Sequence, residues 1–213
     1  KLAKRVKDQV MYKIDLGYVY KREDEDKKST EGFDDILNNL PPSEEQINVT
    51  AAAFQRREEP DYAIQTYLKA RKLLKDESLY AEELAGLYKE EQNYEPMFAE
   101  YMKVLDADPY AFDQLKNKLQ ELVMQDGPYD IFRKMLLKRV QAEPDNATYT
   151  EVLDWLFIQR KDFNSAFIQA KALDKRLKEG GRRLVDLARI VTTQGDYDLA
   201  EKIYQSVVDQ GPD

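Results

Sequence analysis

The chain has 213 residues, with 33 basic against 41 acidic side chains and a net charge of −8. That balance argues against a nucleic-acid partner, whose phosphates need an excess of lysine and arginine. Neither cysteine nor histidine is present, which excludes disulfides, thiolate zinc sites, cysteine nucleophiles and the commonest acid–base group.

Residues 1–9 read as the tail of a preceding repeat, and the start at Lys1 reads as the start of a segment of something longer. From Val10 the pattern is two amphipathic helical segments with a polar turn between them. It returns at Glu44, Ser78, Asp113, Ala147 and Gly181, every 34 residues except for a 35-residue third repeat. The first repeat places Leu16, Gly17 and Tyr20 on one face of its first segment and Ser29, Phe33 and Ile36 on one face of its second, with Pro41 as the stop. The second places Thr50, Ala51 and Phe54, then Ala63, Tyr67 and Ala70. The third places Leu84, Ala85 and Tyr88, then Met97, Tyr101, Val104 and Pro109. The fourth departs furthest, with Leu119, Gln120 and Val123, then Phe132, Leu136, Arg139 and Pro144. `DGPYD` predicts a break at Gly127-Pro128 within it. The fifth has Leu153, Asp154 and Phe157, then Ala166, Ala170 and Leu173, with Asp154 and Ala170 off-pattern. The sixth has Leu187, Ala188 and Val191, then Ala200, Tyr204, Val207 and Pro212. Its turn `GDYDLA` uses Gly195 to stop one helix and Asp196 to cap the next, and `KDFNSA` and `EEPDYA` work similarly.

Numbered within each repeat, these are columns 7, 8 and 11, then 20, 24, 27 and 32. A small residue at column 8 lets a neighbouring helix approach, and a large one at column 11 fills the space beside it. Small or aromatic residues at columns 8, 11, 20 and 24, with proline at 32, resemble the tetratricopeptide repeat over nearly the whole chain. Stretches such as `DLGYVYKRE` and `DYAIQTYLKARKLL` also look like parts of long bacterial arrays that carry a secretion signal. The resemblance implies an all-α solenoid of six helix-turn-helix repeats wound as a right-handed superhelix. Its first helices would line a concave groove that binds a protein or peptide without catalysis.

Columns 5 and 9 are expected to face that groove: Ile14 and Tyr18, Asn48 and Ala52, Glu82 and Gly86, Asn117 and Glu121, Glu151 and Trp155, Val185 and Arg189. Tyr18, Asn48, Glu82, Asn117, Glu121, Trp155 and Arg189 are therefore the partner-binding candidates. The lysine–asparagine clamp with which some family members hold peptide carboxylates is missing, since Asn48 and Asn117 face Ala52 and Glu121. Trp155, the single tryptophan, is a groove anchor or, on the blander view, packing between repeats. The basic run Lys171, Lys175, Arg176, Lys178, Arg182 and Arg183 reads as a solvated helix face. Glu82, Glu121 and Glu151 lack the convergent constellation that catalysis needs. No catalytic residue, metal or cofactor is expected, nor any membrane insertion. Two rival roles share this architecture: an envelope-associated array segment that self-associates through uncapped ends, and an RNA-processing helical repeat. The array resemblance favours the periplasm over the cytoplasm.

Overall fold

A dozen-residue helix is marginal alone in water, so each of these segments needs a partner for its apolar face. In a computed structural model, which describes residues 2–144 and 146–210 and only the backbone of residues 2–8, the segments pair as antiparallel hairpins. The chain divides after Ala107 into two compact units. The first holds α1 (Leu2–Arg22), α2 (Asp26–Asn38), α3 (Glu44–Arg56), α4 (Pro60–Leu74), α5 (Ala81–Glu90) and α6 (Tyr94–Ala107). The second opens with a 3₁₀ turn, Pro109–Ala111. It continues with α7 (Phe112–Val123), α8 (Asp126–Ala142), α9 (Ala147–Gln159), α10 (Phe163–Leu177), α11 (Arg182–Thr193) and α12 (Tyr197–Val208). The described residues contain no strand, and none of their helices is long and apolar enough to cross a membrane.

Within each unit the hairpins stack: α1 packs on α2 and α3, α4 on α3 and α5, α9 on α8 and α10, and α11 on α10 and α12. Column 20 is buried in all six repeats, at Ser29, Ala63, Met97, Phe132, Ala166 and Ala200. Column 8 acts by close approach. A Cβ on Gly17 would lie 2.3 Å from the Phe33 ring, and that ring meets Phe54 edge-on with centroids 5.2 Å apart. Burying one such aromatic contributes about 1.5–3 kcal/mol, more than the helix propensity of any residue but proline.

Five of the six hairpins turn through the same backbone corner. Asp24, Glu58, Gln92, Lys161 and Gly195 all occupy column 15, and all have left-handed φ, at 60°, 57°, 54°, 57° and 87°. In each, the next residue's N–H donates back to the column-11 carbonyl: Glu25 to Tyr20, Glu59 to Phe54, Asn93 to Tyr88, Asp162 to Phe157 and Asp196 to Val191, at 2.8–3.3 Å. This is the Schellman ending, which satisfies the last carbonyls of a helix and is cheapest with glycine. Only the sixth repeat uses glycine. Gln92→Gly or Lys161→Gly is therefore expected to raise the unfolding free energy by about 0.5–1 kcal/mol, seen as a higher urea midpoint with an unchanged slope. An unmoved or lowered midpoint would contradict this account of the corner.

The fourth repeat lacks the corner. Gly127 and Pro128 do not break the chain as expected; they lie inside the first turn of α8, where a proline needs no N–H partner. The break falls earlier, at Met124-Gln125. Arg160 closes it from the C-terminus of α9, donating 2.8 Å to the Met124 carbonyl and 2.5 Å to Asp126. In the same repeat Arg139, in apolar column 27, lies 4.5 Å over the Tyr149 ring and donates 2.6 Å to its hydroxyl.

Other expectations are corrected. The Leu16 side chain is 50% exposed and Tyr204 39%, although both occupy apolar columns, while Ile14, expected in the groove, is fully buried. Helix α1 turns the Ile14–Gly17 face toward α2 and α3, which carries Leu16 outward. Asp162 and Asp196 cap their helices as read, accepting from Ser165 and Leu199, whereas Glu59 makes no side-chain cap and relies on Pro60 in the first turn. Pro212 and the last residues lie outside the described residues.

Candidate functional site

In the second unit, α7, α9 and α11 are the first helices of successive repeats. Helix α7 starts behind Asp108, which caps the Tyr110 N–H at 2.9 Å. Helix α9 starts at Asn146, which accepts from Thr148 at 3.1 Å. It is buried nearly all round through Tyr149, Val152, Leu153, Leu156 and Phe157. The start of α11 is tied to α10: the Gly181 N–H donates to both carboxylate oxygens of buried Asp174, at 3.0 and 3.1 Å. These anchors fix the side chains around a pocket of about 330 Å³ lined by Phe112, Lys116, Glu151, Asp154, Trp155 and Arg183, with Tyr110, Asp113 and Ile158 at its edge.

One wall is aromatic. Half-buried Trp155 meets Phe112 edge-on, with centroids 5.7 Å apart at 90°. The Lys116 ammonium sits 4.5 Å over the Phe112 ring and 2.7 Å from Asp113 Oδ1. The other wall is charged. Arg183 donates 2.8 Å to Glu179 Oε2 and 3.1 Å to Glu151 Oε1. Burial opposes its charge, but the hydrogen bonds and charge of Glu179, with Glu151 and Asp154 behind, hold its pKa above the ordinary value. Expected on a solvated face, Arg183 is in fact half-buried and doubly paired.

Asp154 stands apart. It occupies column 8, where Gly17, Ala51, Ala85 and Ala188 let helices approach, and it is only 7% exposed. Its Oδ1 is buried without a hydrogen-bond partner. Burial pushes its pKa up to about 7, with Arg183 pulling it down and Glu151 pushing it up.

The seven sequence-derived candidates are divided between the two units. Tyr18 on α1, Asn48 on α3 and Glu82 on α5 belong to the first unit. Tyr18 lies beneath Arg57, 5.1 Å from ring to guanidinium, and Arg57 pairs with Asp15 at 2.7 Å. Asn48 and Glu82 are exposed. In the second unit Asn117 and Glu121 are exposed on α7, and Arg189 is exposed on α11, 3.3 Å from Asp186. Of the seven, only Trp155 lines the pocket. Phe112, Lys116 and Arg183 were missed. Asp154 carried a readable signal, a carboxylate in a column of small residues. Among the described residues, no group of three or more acidic side chains is placed to hold a metal ion.

Hairpins of paired helices recurring every 34 residues, closed at one column and buried at another, make this an all-α helical repeat fold of the tetratricopeptide type. No family model matches the sequence, and no curated protein matches it. Among solved structures, the chain is similar to a tetratricopeptide repeat protein from Parabacteroides merdae, at 14% identity over 96% of this chain and 81% of that one, with a TM-score of 0.37. It is also similar to PilW, a type IV pilus biogenesis factor, at 19% identity over 93% and 91% of the two chains and a TM-score of 0.39. A third similarity is to the TPR domain of P58(IPK), at 20% identity over 96% of this chain and a TM-score of 0.33. The chain spans 61% of the length of that structure.

Proposed function

We propose that this chain is a non-catalytic interaction scaffold that binds a peptide segment of another protein against the α7–α9–α11 face of its second unit. The observation that carries this reading is Trp155: a large aromatic only partly buried, edge-on to Phe112, in the lining of a pocket with both charged and apolar walls. Repeat proteins make surfaces of this kind from successive first helices. A rigid aromatic beside polar groups is the usual anchor of such a surface.

Trp155 is the only tryptophan, so its fluorescence reports on the pocket alone. Peptides selected from a displayed library of random dodecamers are expected to shift that emission. Labelled copies should bind Trp155→Ala at least about tenfold more weakly, by anisotropy. Failure to select any peptide, or equal binding to the variant with its helix content unchanged, would sink the reading.

A further inference from the structure

We infer that the pocket beside Trp155 takes the cationic side chain of a docked peptide, lysine or arginine, with its charged end on the Asp154 carboxylate and its aliphatic stem against the indole. The inference rests on the peptide-docking reading and adds the chemistry of the ligand. Charge accounting around the pocket leads to it. Lys116 is engaged by Asp113 and the Phe112 ring. Arg183 is engaged by Glu179 and Glu151. Each cation thus has its carboxylate, and Asp154 remains as an acceptor whose Oδ1 has no donor. Arg183 lies close enough to pull on its pKa but makes no hydrogen bond to it.

A buried carboxylate without a donor is costly, and a partner that brings both a positive charge and N–H groups removes that cost on binding. An anionic ligand would meet Glu151 and Asp154 together. A neutral apolar one would leave Oδ1 unsatisfied. The Trp155 and Phe112 rings suit a methylene stem ending in a cation. The titratable groups that share the pocket with Asp154 are Glu151 from its own helix, Lys116 and Asp113 from α7 and Arg183 from α11, with Glu179 behind Arg183; of these, Arg183 and Glu151 act on its charge. Docking a cation therefore requires the proton on Asp154 to leave.

The test selects the random dodecamer library separately on the full chain and on Asp154→Asn, which keeps the shape and removes the charge. The wild type is expected to enrich lysine or arginine at one fixed position, and Asp154→Asn to select peptides without that basic position. The wild-type peptides should also bind about tenfold more weakly at pH 6 than at pH 8, because a group with a pKa near 7 is about nine-tenths protonated at pH 6. Asp154→Asn should show no such drop. Peptides with no basic position, the same basic preference on both proteins, or affinity flat with pH would overturn the inference while leaving the docking reading intact. If no peptide is enriched over a Trp155→Ala control, docking itself fails, and the inference fails with it.

Discussion

Replacing Glu100 by leucine is expected to lower the unfolding free energy by about 3–5 kcal/mol, among the largest effects open to a single substitution here. Glu100 on α6 receives both ends of the Arg71 guanidinium from α4, at 2.9 and 2.5 Å. The two side chains are 6% and 2% exposed. Arg71 also donates from Nε to the Leu79 carbonyl at 2.7 Å, so one side chain joins α4, the connection to the third repeat and α6. Removing the carboxylate leaves a guanidinium stranded out of water. Removing both charges does not: Arg71→Met with Glu100→Leu is expected within about 1–2 kcal/mol of wild type, the residue being the lost bond to Leu79. Urea unfolding of the two single variants and the double variant measures this. A Glu100→Leu protein within 1 kcal/mol of wild type would show that the pair does not hold the second and third repeats together.

Asp154→Ala is expected to act in the opposite direction, and only at higher pH. The carboxyl has a pKa near 7 when folded and an ordinary value of 3.8. Between those values the folded chain keeps a proton that the unfolded chain has released. This group's contribution to stability therefore falls as pH rises through the window, and the penalty is complete above about pH 7. A difference of roughly three pK units corresponds to about 4 kcal/mol. Alanine, the residue found at this column in the second, third and sixth repeats, removes the penalty. Unfolding at pH 8 should show Asp154→Ala more stable than wild type by up to about 4 kcal/mol, and the gain should vanish near pH 4. A gain independent of pH would mean that side-chain volume, not charge, is what strains the position. Stability gained by the variant at the expense of the pocket carboxylate is the trade-off that the proposed docking role of Asp154 implies.

The repeat could be read because helix-packing positions tolerate few residue types. Column 20 reads as small or apolar in every repeat and is buried in every repeat. Periodicity names a face but does not say whether another helix covers it, so Leu16 and Tyr204 read as core and are exposed. The Gly-Pro pair in the fourth repeat read as a break because composition does not distinguish a proline that ends a helix from one that fits its first turn. The site was less legible for a related reason. Trp155 stood in a groove column and could be picked out, but Phe112, Lys116 and Arg183 reach it from neighbouring repeats. The register along one repeat does not show which side chains converge across two. Arg183 looked like part of a solvated basic run because a charge count ignores its partners Glu179 and Glu151. The misfit of Asp154 with its column was visible, and what that misfit does became clear only when Arg183 and Glu151 stood beside it.

The corner at column 15 has a consequence for how such a chain diverges. Its closing bonds run from backbone N–H to backbone carbonyl, and five different residues (Asp, Glu, Gln, Lys and Gly) sit at the same left-handed position without altering them. A stretch of 34 residues copied elsewhere in a gene would bring its own reversal of direction with it, needing no matching residue at the destination. Mutation can then rewrite the outward-facing letters of each copy freely. Loss of the corner, as in the fourth repeat, has to be matched by a change one repeat away, where Arg160 now seals the end of α7. Descent by duplication would thus leave four interchangeable modules and one pair, the fourth and fifth repeats, bound to evolve together.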